Sequence, residues 1–296
     1  MKNALTIDLE DWYHPELVKR HVPEDPEPQI AESTHRILGL LGRRRVRATF
    51  FILGDVARRH PGLIRAIRDE GHEIASHGMT HAPLWDLDYD GLDRELKTFR
   101  EVMAAVLGPE ASIAGFRAPT FSMDNRTRYA MKCLVDNGYL YDTSIFPVKN
   151  YMYGVKGAPC ALYRPDLNDL SRQDARSAIL EFPLTVFEWG RVRIPVSGGF
   201  YLRAFPYFIL KLLLRKINRM RPFVIYFHPW EVYPETQRVT GIGLKNYLIT
   251  YYGVKNALGK IERLLQDFEF EPMNDVIQRA TRAEYATGAG SGQRLL

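Results

Sequence analysis

The feature that most constrains this chain is a repeated alternation of short apolar runs with amphipathic stretches at helical spacing. Residues 3–9, 48–53, 72–76, 112–116 and 139–142 read as short, mostly buried strands. The stretches 30–44, 61–70, 89–107 and 125–137 read as the helices between them. In 89–107 the apolar side chains Leu92, Leu96, Phe99 and Met103 recur at one-turn spacing. Pro61 stands at the first helical position of 61–70 and Gly71 just past its end. Strands joined by single helices pair in parallel through right-handed crossovers. Four such units within 296 residues predict an α/β fold, a distorted (β/α) barrel of about seven parallel strands.

Downstream the pattern loosens. The region 143–200 carries Pro147, Pro159, Pro165, Pro183 and Pro195 and reads as long loops with short strands near 178–182 and 192–196. Helix 206–219, strand 223–228 and helix 253–267 follow. No linker or repeat divides the chain, so one domain is expected over 1–284, with a Gly-rich, disordered tail over 285–296. Apolar residues at 46% and charged residues at 25% fit a soluble globular protein. Cys133 and Cys160 make no disulfide framework, and from the first residues and the absence of an apolar run of eighteen, neither a secretory leader nor a membrane-spanning helix is expected. These readings lead us to expect a cytoplasmic protein. The net charge of +5 permits anionic partners, but no nucleic-acid reading motif accompanies it, so nucleic acid is not expected.

Four groups of reactive side chains fall at the C-terminal ends of predicted strands, the face where α/β barrels carry their sites. The first is Asp8-Leu9-Glu10-Asp11. Strand alternation puts Asp8 and Glu10 on one face, where two carboxylates need a cation or a proton between them. Taken alone, three acids in four residues describe a solvated turn equally well. The second is His77 and His81, whose spacing lets two imidazoles reach one metal and, with one carboxylate, leave room for water. The third is Arg117 in Phe-Arg-Ala-Pro119, able to hold a carboxylate ionised. The fourth is His228 in Tyr-Phe-His-Pro-Trp230. A histidine there can act as general acid if a carboxylate keeps it protonated, and Asp142 at the end of another strand is a candidate partner.

Taken in order, these groups resemble the polysaccharide deacetylases of carbohydrate esterase family 4, the nodulation-deacetylase type. The carrying motifs are Thr6-Ile-Asp8, Ser76-His77 through His81, Arg117-Ala-Pro119, Asp142 and Phe227-His228, spread over residues 4–272. Three strings are similar to the subfamily of exosortase-type exopolysaccharide loci: Asp8-Leu-Glu-Asp-Trp12, Ser197-Gly-Gly-Phe-Tyr201 and Tyr226-Phe-His-Pro-Trp-Glu231. The family's first motif has two adjacent aspartates, whereas this chain has Leu9 in the second place.

The resemblance implies a hydrolase that removes N-acetyl groups from an amino sugar of a polysaccharide or lipid-linked glycan, in exopolysaccharide biosynthesis. It implies one divalent metal, Zn²⁺, on His77, His81 and either Glu10 or Asp11. Asp8 is then the base, its role exchangeable with Glu10, and Arg117 orients it. His228 is the acid, with Asp142 beside it, and a backbone N–H near Tyr141 or Asp142 helps to hold the oxyanion. The aromatic and apolar residues Trp12, Trp85, Pro119, Tyr141 and Trp230 are expected to meet the sugar. Two alternatives share the fold: a deacylase of a formamido sugar or small amide, and a silent glycan-binding protein.

A second signal is separate. No acidic residue lies between Glu188 and Glu231, and helix 206–219 sets Ile209, Leu210, Leu213, Leu214 and Ile217 against Lys211, Arg215, Lys216 and Arg219. This is either a solvated basic face or a peripheral contact with the anionic inner face of a membrane.

Overall fold

The computed structural model describes residues 1–150 and 152–286. Its frame is a curled sheet of seven parallel strands. These are β1 (Asn3–Leu9), β2 (Thr49–Ile52), β3 (Glu73–Ser76), β4 (Gly115–Phe116), β5 (Tyr141–Asp142), β6 (Leu180–Glu181) and β7 (Val224–Phe227). Their order is β7-β1-β2-β3-β4-β5-β6, and β8 (Phe270–Glu271) adds a parallel pairing at the start of β1. The curl leaves β6 and β7 unpaired with each other, and Thr185 bridges them through hydrogen bonds to both the N–H and the carbonyl of Val224.

Ten helices accompany these strands among the described residues: α1 (Ile30–Arg44), α2 (Gly54–Arg59), α3 (Pro61–Asp69), α4 (Tyr89–Leu107), α5 (Tyr129–Asp136), α6 (Gly199–Ala204), α7 (Tyr207–Asn218), α8 (Leu244–Tyr251), α9 (Val254–Asp267) and α10 (Met273–Ala286). Their starts follow from local chemistry. Pro61 opens α3, and the Asp88 carboxylate accepts the Gly91 N–H to cap α4.

Strand alternation divides the core in two. Leu5, Ile7, Leu9, Phe50 and Ile52 point outward into the main cluster, packed with Ile37, Leu41 and Ile64 of the helices. Ala4, Phe51, Ala75, Tyr141, Val224 and Tyr226 point into the curl, where α10 closes one end with Met273, Val276 and Ile277. Each of those three apolar side chains contributes roughly 1.5–3 kcal/mol by leaving water. The inward face of β1 continues from Ala4 through Thr6 to Asp8, so the reactive carboxylate rises from inside the barrel.

Several elements depart from the sequence pattern. The expected strand 112–116 shrinks to Gly115–Phe116. Gly115 is required there, because a Cβ would lie 2.0 Å from the Tyr141 ring. The helix expected over 125–137 starts at Tyr129, since Asp124 and Thr127 spend their side chains on a turn. The strand expected at 192–196 is real but stands outside the barrel, as half of an antiparallel hairpin of Val186–Trp189 with Val192–Pro195. Of the tail expected over 285–296, the first two residues end α10, and the remainder lies outside the described residues.

Candidate active site

The strand ends converge on a cavity of about 370 Å³, lined among others by Asp8, Glu10, His77, His81, His228 and Trp230. Glu10 sits just past β1, after a tight turn in which its N–H donates to the Asp8 carbonyl at 2.9 Å. The turn, not a continued strand, keeps both carboxylates on the cavity. Glu10 is the hub. Its Oε2 lies 3.1 Å from His81 Nε2, and its Oε1 lies 3.7 Å from His77 Nε2 and 2.9 Å from His228 Nε2. Burial opposes ionisation of Glu10, but His81 and His228 outweigh it and hold the carboxyl well below its usual range.

Glu10, His77 and His81 each bring a ligand atom within 4.8 Å of the others. His77 Nδ1 meets the Arg117 carbonyl at 2.7 Å. A carbonyl only accepts, so Nδ1 carries the proton and Nε2 is left with its lone pair. That Nε2, Glu10 Oε2 and His81 Nδ1 are buried without a hydrogen-bond partner. Two imidazoles and a carboxylate that each bring a ligand atom to one place fit a divalent cation.

Asp8 is held from behind. Arg117, fully buried, donates from Nη1 to Asp8 Oδ1 at 2.6 Å and to Thr6 Oγ1 at 2.8 Å. Its other nitrogens reach the Thr143 carbonyl and hydroxyl, and its plane lies over the Phe51 ring, 4.2 Å from the centroid. The guanidinium is thus locked, and Asp8 Oδ2 is left toward the cavity.

On the far wall His228 stacks on Trp230, with ring centroids 5.4 Å apart. Its Nδ1 meets Glu231 Oε2 at 2.7 Å, and Arg203 Nε donates to Glu231 Oε1 at 2.9 Å. Burial works against a charged His228, yet Glu10 and Glu231 overcome it and raise its pKa well above the ordinary value.

Three non-glycine residues on the cavity wall adopt left-handed backbone: His81 at φ 62°, Thr120 at φ 57° and Phe121 at φ 51°. Such positions cost about 1–3 kcal/mol each and concentrate where a site dictates geometry. Gly198 is required for a different reason. It passes so near β7 that a Cβ would lie 2.0 Å from the Tyr226 carbonyl oxygen.

The structure redistributes several residues expected at the site. Asp142 does not approach His228; it is fully buried, accepts from Ser144 Oγ at 2.6 Å and shares a hydrogen bond with Glu181. Glu231, three residues from His228, takes the place expected of it. Asp11 is not brought to the imidazoles. Its oxygens accept the N–H groups of Trp12, Gln29 and Ile30, capping α1, while burial pushes its pKa up to about 6. Trp12 is buried in a satellite cluster with Val18 and Tyr251, and its indole donates to the Glu27 carbonyl. Tyr141 points into the barrel and donates to Glu73, while its N–H is taken by the Ala114 carbonyl. Trp85 and Pro119 are not among the lining residues, and of the five expected sugar contacts only Trp230 is. The aromatic wall is instead Phe121, Tyr153, Phe200, Tyr201 and Tyr226. His14 is a further residue that its sequence position did not mark. Its Nδ1 accepts the Asp11 N–H at 2.7 Å and its ring lies 5.7 Å from that of His81.

Comparison with known proteins places this arrangement. Residues 24–135 match the family described as polysaccharide deacetylase, and residues 143–278 match a domain described as of unknown function, DUF3473. A structure from Mycobacterium smegmatis, described as a candidate polysaccharide deacetylase, aligns over 100% of this chain and 93% of its own, with a TM-score of 0.59 and 22% identity. The PuuE allantoinase aligns over 97% and 90%, with a TM-score of 0.59 and 16% identity. The fold is therefore the (β/α) barrel of the polysaccharide deacetylase type. The chitooligosaccharide deacetylase of Rhizobium leguminosarum bv. trifolii is 38% identical over 94 residues, 32% of this chain and 42% of that protein. The chain thus spans about two fifths of the length of that curated relative. Residues 24–135 thus resemble the polysaccharide deacetylases in sequence, and the chain resembles them in fold.

Proposed function

We propose that this protein is a metal-dependent N-deacetylase of an amino sugar in a polysaccharide or lipid-linked glycan. The observation that carries the reading is the meeting, in one cavity, of Glu10, His77 and His81 with the Arg117-bound Asp8 and the Glu231-bound His228. The names of the relatives, chitooligosaccharide and peptidoglycan N-acetylglucosamine deacetylases, support an N-acetylated glycan as the substrate class. The exopolysaccharide setting is supported by the three strings around Asp8, Gly198 and His228 alone.

Glu10, His77 and His81 would hold the ion, and Asp11 is left to its cap. Zn²⁺, when bound, supplies polarisation of the amide carbonyl and acidification of a water. The protein's own groups do the rest. Asp8 Oδ2 accepts the water proton while Arg117 keeps Oδ1 occupied. His228, charged through Glu231, delivers a proton from Nε2 to the sugar nitrogen as the C–N bond breaks. Acetate and a free amine leave. An amide nitrogen is a poor leaving group without that proton, so the acid is needed chemically, and such a group contributes ~10²–10⁴-fold. The aromatic wall of Phe121, Tyr201, Tyr226 and Trp230 offers faces for a sugar ring.

The test is acetate release from N-acetylated chito-oligosaccharides by the zinc-loaded protein, together with metal content. One ion per chain and acetate release, both lost in His77→Ala, are expected. Formate release or ureide turnover without acetate would give the reaction to another acyl group, and stoichiometric metal with no turnover of any amide would leave a silent binder.

A further inference from the structure

The basic helix seen in the sequence carries an exposed surface that the catalytic site does not use. Along α7 the row Phe208, Leu212, Lys216 and on to Met220 repeats every four residues and faces away from the barrel, while Leu210, Leu214 and Ile217 are buried. Phe208, Leu212 and Met220 are 73%, 54% and 74% exposed. The amine of Lys216 lies over the Phe187 ring of the neighbouring hairpin. Strand alternation and the pairings Phe187 with Ile194 and Trp189 with Val192 put these four on one hairpin face. The inner pair packs on the core, whereas Trp189 and Val192 stand 75% and 58% exposed. Five large apolar side chains thus extend one surface across α7 and the hairpin, interspersed with Arg215, Lys216 and Arg219.

We infer that this surface docks on an anionic lipid bilayer. Isolated exposed apolar residues are unremarkable, but a helix row of aromatic and aliphatic side chains mixed with cations, beside an exposed tryptophan, is how proteins lie in a membrane interface. The charges select the occupant. Asp267 pairs with Lys211 at 2.5 Å and reaches Arg215 at 3.7 Å, while Lys216 and Arg219 are left toward solvent. Those cations complement lipid phosphates. A second copy is disfavoured, because a two-fold contact through this face would set Arg215, Lys216 and Arg219 against themselves.

The surface also leads toward the cavity. Pro206, at the start of α7, and Tyr252, at the end of α8, line one cleft. Helix α8 then exposes Leu244 and Leu248 on one side and gives Ile249 and Thr250 to the cavity wall on the other. A bilayer against α7 and α8 would bring a glycan attached to a lipid to the mouth of the site. That last step rests on the deacetylase reading; the docking itself does not.

Flotation with vesicles of phosphatidylcholine, alone or mixed equally with phosphatidylglycerol, tests it on the full chain. Binding to the mixed vesicles only is expected, released at about 1 M salt, where charges act over about 3 Å. Phe208→Ser with Leu212→Ser, and separately Lys216→Glu with Arg219→Glu, should each weaken binding about tenfold or more. Acetate release from a soluble oligosaccharide and the melting temperature should stay at wild-type values, which separates lost docking from lost fold or lost catalysis. Trp189 fluorescence should be quenched by brominated lipid and the quenching lost in Trp189→Phe. No association with the mixed vesicles, or association of both double variants equal to that of the wild type, overturns the inference. So does a concentration-dependent dimer that the Phe208→Ser, Leu212→Ser protein no longer forms.

Discussion

His228 and Glu231 form a carboxylate–imidazole pair within one turn of chain, Nδ1 to Oε2 at 2.7 Å, and the same carboxylate caps the His228 N–H at 3.1 Å. Glu231 is fixed in turn by Arg203, whose remaining N–H groups bind the carbonyls of Ile249 and Tyr252. The acid is therefore oriented from its own loop and not across the barrel. Glu231→Gln keeps the shape and removes the charge. Because Glu231 raises the His228 pKa, its loss lowers it. A reaction that needs protonated His228 fails as pH rises through that pKa, so the alkaline limb of the kcat profile should move to lower pH. At neutral pH kcat should fall about 10-fold or more with KM little changed. An unmoved limb would detach Glu231 from the acid.

Arg117 and Asp8 are both buried, so each is costly without the other. Arg117→Met leaves the buried Asp8 carboxylate without its guanidinium, with His228 Nε2 still 3.8 Å from Oδ2. Breaking one side of such a pair costs about 3–5 kcal/mol. The double variant Arg117→Met, Asp8→Asn removes the stranded charge and should recover part of that loss, though not activity. Urea unfolding of the four proteins measures this. A double variant no more stable than the single one would mean that Arg117 acts through its packing on Phe51 instead.

His77 links the cation site to Arg117 through the Arg117 carbonyl. His77→Ala should lose bound metal and activity together, and the apo protein should melt lower too, destabilised by about 1–3 kcal/mol, because the Arg117 carbonyl loses the Nδ1–H it accepts. Asp11→Ala should keep both metal and activity. It removes the cap of α1, at a cost of about 1 kcal/mol, and retains the ion. Elemental analysis beside a thermal melt distinguishes them; metal lost in Asp11→Ala but kept in His77→Ala would exchange their roles.

The sequence revealed the frame because its signals are local. Apolar runs and helix periods need only neighbours, and they set β1, β2, β3 and β7 and so the ends that carry Asp8, His77 and His228. Contacts made by distant segments were not legible. Asp11 looked like a ligand because its partners, the N–H groups of Gln29 and Ile30, lie in another element. Trp12 and Tyr141 sit at strand ends, but their burial depends on Val18, Tyr251 and Glu73, which no periodicity predicts. Glu231 was within reach, since a carboxylate three residues from a histidine at the start of a tight turn can fold back onto it. Helix α10 closes the barrel from outside the repeating pattern, and nothing in the alternation signals a floor.

Asp142 and Glu181 provide the remaining prediction. Both are completely buried, and burial raises the pKa of each above its ordinary value. Burial, then the neighbouring Asp142 charge, lift the Glu181 pKa well above its usual value, so the folded protein keeps a proton there that the unfolded chain releases. Folded Glu181 binds more protons than unfolded Glu181 at any pH between the unfolded value, about 4.3, and the folded one. Across that window stability must fall as pH rises, by up to about 1.4 kcal/mol per pH unit. Glu181→Gln supplies the donor to Asp142 without a proton, and its amide oxygen still accepts the Ile145 N–H, which Glu181 Oε1 takes at 3.0 Å. The variant should therefore lose less stability than the wild type between pH 5 and pH 8 and be the more stable of the two at the alkaline end. Denaturant melts at several pH values check it, with Asp142→Asn as a second probe of the pair. Parallel pH curves for Glu181→Gln and wild type would show that Glu181 is ionised in the fold and that Asp142 is the partner holding the proton.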